Sequence, residues 1–206
     1  MLRFNKNLFF SKKYLTILSI VIFLFGCIEK KEKKYLPTGY LRIDLPEKKL
    51  KTQPFFFQDN TFSMLIPTYF NISSDTIKSE IYLTNIKHNV GIILSYKQIE
   101  NNLEQLINET NNIISDPQLL KMSHGIIETT STDKTWSIYK MTGPVATPFL
   151  FHITDNKNHF LQGFMLICED QNKSCNINID SLRPIIDFFE TDIYTIADNI
   201  IWEKNK

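Results

Sequence analysis

The arrangement of hydrophobic and polar positions along this chain marks out strands, a helix, more strands and a closing helix. Between Pro37 and Pro46, Tyr40, Arg42 and Asp44 alternate with Leu41, Ile43 and Leu45, the period of a half-buried strand. Residues 48–51 read as a charged surface turn. Residues 54–57 and 61–66 flank Gln58, Asp59 and Asn60 as a hairpin, which Pro67 ends because proline cannot continue a ladder. Residues 81–85 and 90–97 predict another strand pair. Over residues 101–122 the period changes: Leu103, Leu106, Ile107, Ile113 and Ile114 fall near helical spacing, with Glu104 and Glu109 for the opposite face. Pro117 ends or kinks that helix near Ser115. Strands return at 126–130, 135–141, 149–154 and 159–168. A closing amphipathic helix spans 180–202, with a stripe of Leu182, Ile185, Ile186, Phe189, Ile193, Ile196 and Ile200. Asp180 is placed to cap it, and Pro184 falls in its first turn. Strands, a helix, more strands and a long closing helix predict an α+β domain, a mainly antiparallel sheet with helices packed on it.

The N-terminus departs from this pattern. Arg3, Lys6, Lys12 and Lys13 form a basic leader, followed by an unbroken apolar and hydroxyl run over residues 14–25, the layout of a secretory signal peptide. That run is about a dozen residues, short of the roughly 20 a membrane-spanning helix needs. Leu24, Phe25, Gly26 and Cys27 resemble the bacterial lipobox, in which cleavage before the cysteine frees a thiol for lipid attachment. Leu24 and Gly26 fit the motif, whereas Phe25 is bulkier than the small residue usual there. An uncleaved anchor and simple secretion are the competing readings. The expected organisation is a signal peptide over 1–26, a lipidated Cys27 with a lysine-rich spacer over 27–38, and one domain over 39–206. The site would be the cell envelope, on the inner or outer membrane and facing the periplasm.

Charge sharpens this. All 22 acidic residues follow Gly26 while four of the 23 basic ones precede it, leaving the mature chain at about −3, which argues against a nucleic-acid partner. Lys30, Lys31, Lys33 and Lys34 either touch anionic headgroups or serve as a solvated spacer. Export permits disulfides, and only Cys168 and Cys175 remain after Cys27, separated by six residues. They form either a bridge closing a short loop or two free thiols. Two thiols at that spacing do not make a structural zinc site.

Candidate chemistry is sparse. The four histidines are His88, His124, His152 and His159. If Asn156 and Lys157 form a two-residue hairpin loop, Thr154 faces His159, and His152 lies diagonally on the same sheet face. With Asp155 between them, a metal-dependent hydrolase becomes an alternative, against a hairpin whose Asp155 simply bonds turn amides. No nucleophile elbow, zinc-protease motif or phosphate loop is present, and the chain has only six glycines. No catalytic residue, metal ligand or cofactor is assigned. Phe55, Phe56, Phe57, Phe62, Phe149 and Phe151 supply another alternative, a lipoprotein enclosing an apolar ligand, although such aromatics ordinarily form core.

The segments GYLRIDLPEK (39–48), LSYK (94–97), GPVATPFLFHITD (143–155), HFLQG (159–163) and DSLRPII (180–186), in this order behind a lipobox, resemble the GldD family of gliding motility lipoproteins of Bacteroidetes. The resemblance implies a non-enzymatic envelope component bound up with type IX secretion, whose partners are other gliding and secretion proteins. Arg42, Asp44, Asp155 and His159 are the candidate interaction residues, with a local ion pair as the blander role for the first two. The sequence departs from the family pattern at Gln162, where a basic residue is expected, and at His152, where a tyrosine is common. Its Cys168 and Cys175 stand where the family usually has no cysteine. Gly143 and Pro144 suit a tight turn, and Gly163 would admit a bulky neighbour against its strand.

Overall fold

The apolar runs from residue 52 onward pair into antiparallel sheets, with neighbours along the chain joined by turns. A computed structural model of the chain describes residues 45, 51–58, 61–167 and 179–203, with the side chains of the last helix described from Leu182 onward. The chain divides into Met1–Tyr40 and Leu41–Lys206, and every described residue lies in the second unit. Of the first expected strand, only Leu45 is described, packed against the core.

The 54–66 hairpin forms as β1 (Thr52–Phe57) and β2 (Phe62–Pro67), with Phe57 opposite Phe62. A strand the hydrophobic pattern did not announce follows, β3 (Asn71–Asp75). Its sequence NISSD is too polar to read as a strand, which suits the outer edge it occupies. Next come β4 (Glu80–Asn85) and β5 (Val90–Gln98). The expected 101–122 helix is two, α1 (Leu103–Ile114) and α2 (Pro117–Met122). The break falls where proline requires it, and Asp116 restarts the chain by accepting the N–H groups of Gln118 and Leu119 at the α2 N-terminus.

Then β6 (Gly125–Thr130), β7 (Trp136–Thr142), β8 (Phe149–Thr154) and β9 (His159–Ile167) follow one another as antiparallel neighbours. The last helix, α3 (Ile179–Asp198), starts one residue before Asp180, so Asp180 lies inside it. Pro184 falls in the second turn, where it removes only the bond to the carbonyl of residue 180. The helix also stops early. Asn199 donates its side-chain amide to Thr195 O, and Ile201 and Trp202 leave as a short strand, β10 (Ile201–Trp202), paired with Ser63 and Phe62 of β2. Residues 201 and 202, expected in the helix, are strand because β2 offers them an open ladder.

The large sheet is ordered β3-β4-β5-β9-β8-β7-β6 and the small one β1-β2-β10, all antiparallel. One face of the large sheet carries α1 and α2, over Tyr139, Met141 and Leu150. The other carries α3 and the small sheet, over Leu94, Phe151, Leu161 and Met165. Phe57, Phe62, Phe149 and Phe151 are at most 1% exposed in this second layer. Burying each contributes about 1.5–3 kcal/mol. These rings fill core rather than line a ligand cavity. Gly163 sits opposite both Phe151 and Leu94, and a Cβ there would lie 2.2 Å from Phe151 Cζ. The glycine exists so that the ring can cross the strand. Gly143 adopts φ +102°, with space for a Cβ closed by the backbone N of His124 at 2.8 Å.

Candidate functional site

The β8–β9 turn is built by one carboxylate. Asp155 Oδ1 accepts the N–H groups of Lys157, Asn158 and His159 at 2.9, 2.8 and 2.8 Å. Asn156 donates its N–H to Thr154 Oγ1 and takes φ +61°, a conformation asparagine tolerates. Burial pushes the Asp155 carboxyl up, but the three amides outweigh it and hold it below the usual carboxylate range.

This turn is longer than two residues, and the consequence corrects the expected register. Thr154 pairs with Phe160 rather than His159, and His152 with Gln162. A one-residue slip reverses every side chain beyond it. His152 therefore lies under the α1 layer and His159 on the opposite face. His152 is 5% exposed, its ring stacked on Phe160 at 5.4 Å, and burial pulls its pKa down to about 4, with Glu128 opposing weakly. His159, also 5% exposed, shares a hydrogen bond through Nδ1 with the Tyr96 hydroxyl at 2.9 Å. Its ring lies parallel to Trp202 at 5.1 Å. The two imidazoles cannot converge with Asp155 on one metal or substrate, and no cluster of three or more histidine, cysteine, aspartate or glutamate residues suited to a metal occurs among the described residues. The arrangement needed by a hydrolase is not formed. Gln162 has a local role, donating Nε2 to the buried Thr110 hydroxyl of α1 at 2.9 Å.

What the sheet end does form is a groove of about 960 Å³, bounded by the β6–β7 turn, the end of β8 with Asp155, and the segment from the α3 C-terminus to β10. The two tryptophans of the chain, Trp136 and Trp202, both line it. Trp136 Nε1 donates to Asp198 Oδ1 at 3.0 Å, joining β7 to the end of α3. In the β6–β7 turn, Asp133 Oδ1 accepts from the Thr135 hydroxyl at 2.8 Å. Bonds to the Thr135 and Ser131 hydroxyls, then to the Thr135 amide, hold the Asp133 carboxyl below its usual range. Thr154 N donates to Thr135 O at 2.7 Å and stitches the two turns together. Sequence reasoning found Asp155 and missed its neighbours, because the Asp133–Trp136 stretch and Asp198 are far from it in the chain. No signal in the sequence joined them, since Trp202 read as part of the closing helix and Trp136 as part of a strand.

A second feature is the outer face of the small sheet, where Phe56 is 61% and Ile201 68% exposed beside Leu65. A smaller cleft of about 460 Å³ lies where α1 and α2 meet β7 and β8. Within the α3 layer, the Tyr69 hydroxyl donates to Asp192 Oδ2 at 2.6 Å, and burial, then that bond, raise the phenol far above its ordinary value. Cys27, Arg42, Asp44, Cys168 and Cys175 lie outside the described residues. No helix among the described residues is long and apolar enough to cross a membrane.

The family model of the gliding motility lipoprotein GldD matches residues 30–202. No curated protein matches the sequence. Among solved structures, the chain is similar to the solution structure of cyanobacterial PsbP (CyanoP) from Synechocystis sp. PCC 6803, at 8% identity and a TM-score of 0.45, over 80% of this chain and 100% of that one.

Proposed function

The chain belongs to the GldD family of gliding motility lipoproteins, and from that premise we propose that it is a membrane-tethered, non-enzymatic part of the gliding and type IX secretion machinery. Residues 1–26 are removed as a signal peptide, Cys27 carries the lipid, residues 27–38 hold the domain off the bilayer, and residues 39–206 fold as one interaction domain facing the periplasm. The observation that carries this reading is the family match, which covers the whole described fold and starts three residues after Cys27. Several acyl chains supply the stable anchoring that one chain cannot. Lone apolar side chains on a surface are ordinary, but Phe56, Leu65 and Ile201 share one sheet face, the kind of patch that protein contacts use.

The test is affinity capture of the full-length protein from its native envelope in mild detergent, comparing wild type with Cys27→Ser and identifying partners by mass spectrometry. Gliding or secretion components should be recovered with the wild type and reduced with the variant. Clean deletion in a gliding host should impair motility and export of secreted cargo. Normal motility together with normal export would refute the proposed role.

A further inference from the structure

We propose that the groove at the sheet end is a binding site for a neutral oligosaccharide. A volume of about 960 Å³ lies within the ordinary range for small-molecule sites, and its walls are unusual for so small a share of the chain. Both indoles of the protein are there, each only partly exposed. Trp202 is backed by the parallel ring of His159, and Trp136 by the edge-on ring of Tyr194 at 5.7 Å. Each is a large apolar plate held in place from behind, at little cost in side-chain freedom on binding.

Around these plates the groove offers acceptors. Asp133, Asp155 and Asp198 line it, and among the described residues no lysine, arginine or histidine does. Phosphorylated, sulfated or carboxylated ligands are therefore repelled. A bare cation is a poorer match than the acid count suggests, because each carboxylate already has Oδ1 engaged. Asp155 holds three backbone amides, Asp133 a hydroxyl and an amide, and Asp198 an indole N–H. Donors of this kind spread the negative charge and fix the orientation of each group, which leaves directional acceptors rather than free charges. The ligand must then present apolar faces to indoles and hydroxyl donors to carboxylates within one molecule. A sugar ring has that construction: axial C–H bonds make an apolar face, and its rim carries O–H groups.

The two turns forming the polar wall are preorganised. Besides the Thr154–Thr135 bond, Asn156 Nδ2 donates to Lys134 O at 3.5 Å, and Trp136 ties β7 to the end of α3 through Asp198. The site depends on neither the anchor nor the machinery partners, so its test stands apart from that of the proposed function.

Since both tryptophans line the groove, tryptophan emission of the folded protein reports on it. Full-length protein in detergent micelles is titrated with chitotriose, cellotriose and maltotriose at low and high salt. At least one trisaccharide should shift tryptophan emission saturably, with a midpoint that salt leaves unchanged within about twofold, as expected for uncharged partners. Asp198→Asn keeps an acceptor for Trp136 but removes the charge, and should weaken binding about fivefold. Glu104→Gln, on exposed α1, should leave it unchanged. Circular dichroism confirms that both variants fold. The proposal is overturned if no trisaccharide shifts the emission, or if Asp198→Asn binds as tightly as wild type. It is also overturned if a hexa-arginine peptide alone shifts the emission with a salt-sensitive midpoint, which would make the groove a dock for basic peptides.

Discussion

Replacing Gly163 by alanine tests the central packing idea, because steric and conformational effects predict opposite signs. In a strand interior glycine is normally the poorer residue, and alanine would be expected to stabilise by roughly 0.5–1 kcal/mol. Here the added methyl would sit 2.2 and 2.4 Å from Phe151 Cζ and Cε2, and 2.8 Å from Leu94 Cδ2. Both neighbours are fully buried, in the layer beneath α3, so neither ring nor methyl has solvent to move into. Overpacking a filled core costs about 1–3 kcal/mol, and a contact this short belongs at the upper end. The net expectation is destabilisation by about 2 kcal/mol, a large part of the roughly 5–15 kcal/mol typical of a domain. Urea unfolding of the full-length protein in detergent, followed by tryptophan emission, measures it, with an unchanged slope confirming that the folded and unfolded states keep their compactness. Removing the obstacle should remove the penalty. In a Phe151→Leu background, Gly163→Ala should cost at least about 1 kcal/mol less than it does alone, since residues in contact couple. A neutral or stabilising Gly163→Ala, or strict additivity with Phe151→Leu, would refute the claim that the glycine exists to let the ring cross.

Three further outcomes follow from the same structure. His152 has a folded pKa of about 4 against about 6.5 unfolded, so the unfolded state binds the extra proton first; stability is full above about pH 6.5 and falls by roughly 3 kcal/mol as pH drops toward 4. His152→Phe should flatten that part of the stability–pH curve, and an unchanged curve would show that the imidazole is not held neutral. Tyr69→Phe deprives Asp192 of a 2.6 Å hydrogen bond inside the α3 layer and should cost about 1.5–3 kcal/mol in chemical unfolding, whereas a cost below about 0.5 kcal/mol would mean the bond is replaced by water. For Cys168 and Cys175, intact-mass analysis of alkylated protein purified from the envelope should show no labelling without reductant, and reduction should cost about 2–3 kcal/mol; labelling of both thiols before reduction would exclude the bridge.

Apolar runs bounded by turn residues made most of the sheet legible, as in FLFHIT at 149–154, a strand buried on both faces. The helix break at Pro117 was legible for a different reason: proline forbids the ladder locally, whatever the tertiary context. The failures occur where a partner, rather than the segment itself, decides. NISSD is strand only because β4 offers an edge, and Ile201–Trp202 is strand only because β2 does, although the apolar stripe ran on through Ile200. The candidate site failed for the subtlest reason. Asp155 was read correctly as a turn residue, yet the number of amides it gathers sets the loop length, and that length sets whether His159 faces His152. Since strand side chains repeat every two residues, one additional turn residue carries a histidine from one face of the sheet to the other. Any inference from sequence about two residues converging across a hairpin thus has the parity of the turn as its weakest premise. The groove was hidden for the converse reason: its walls come from three connections far apart in the chain, and only the sheet order β9-β8-β7, with α3 returning to pair its tail with β2, brings them to one end.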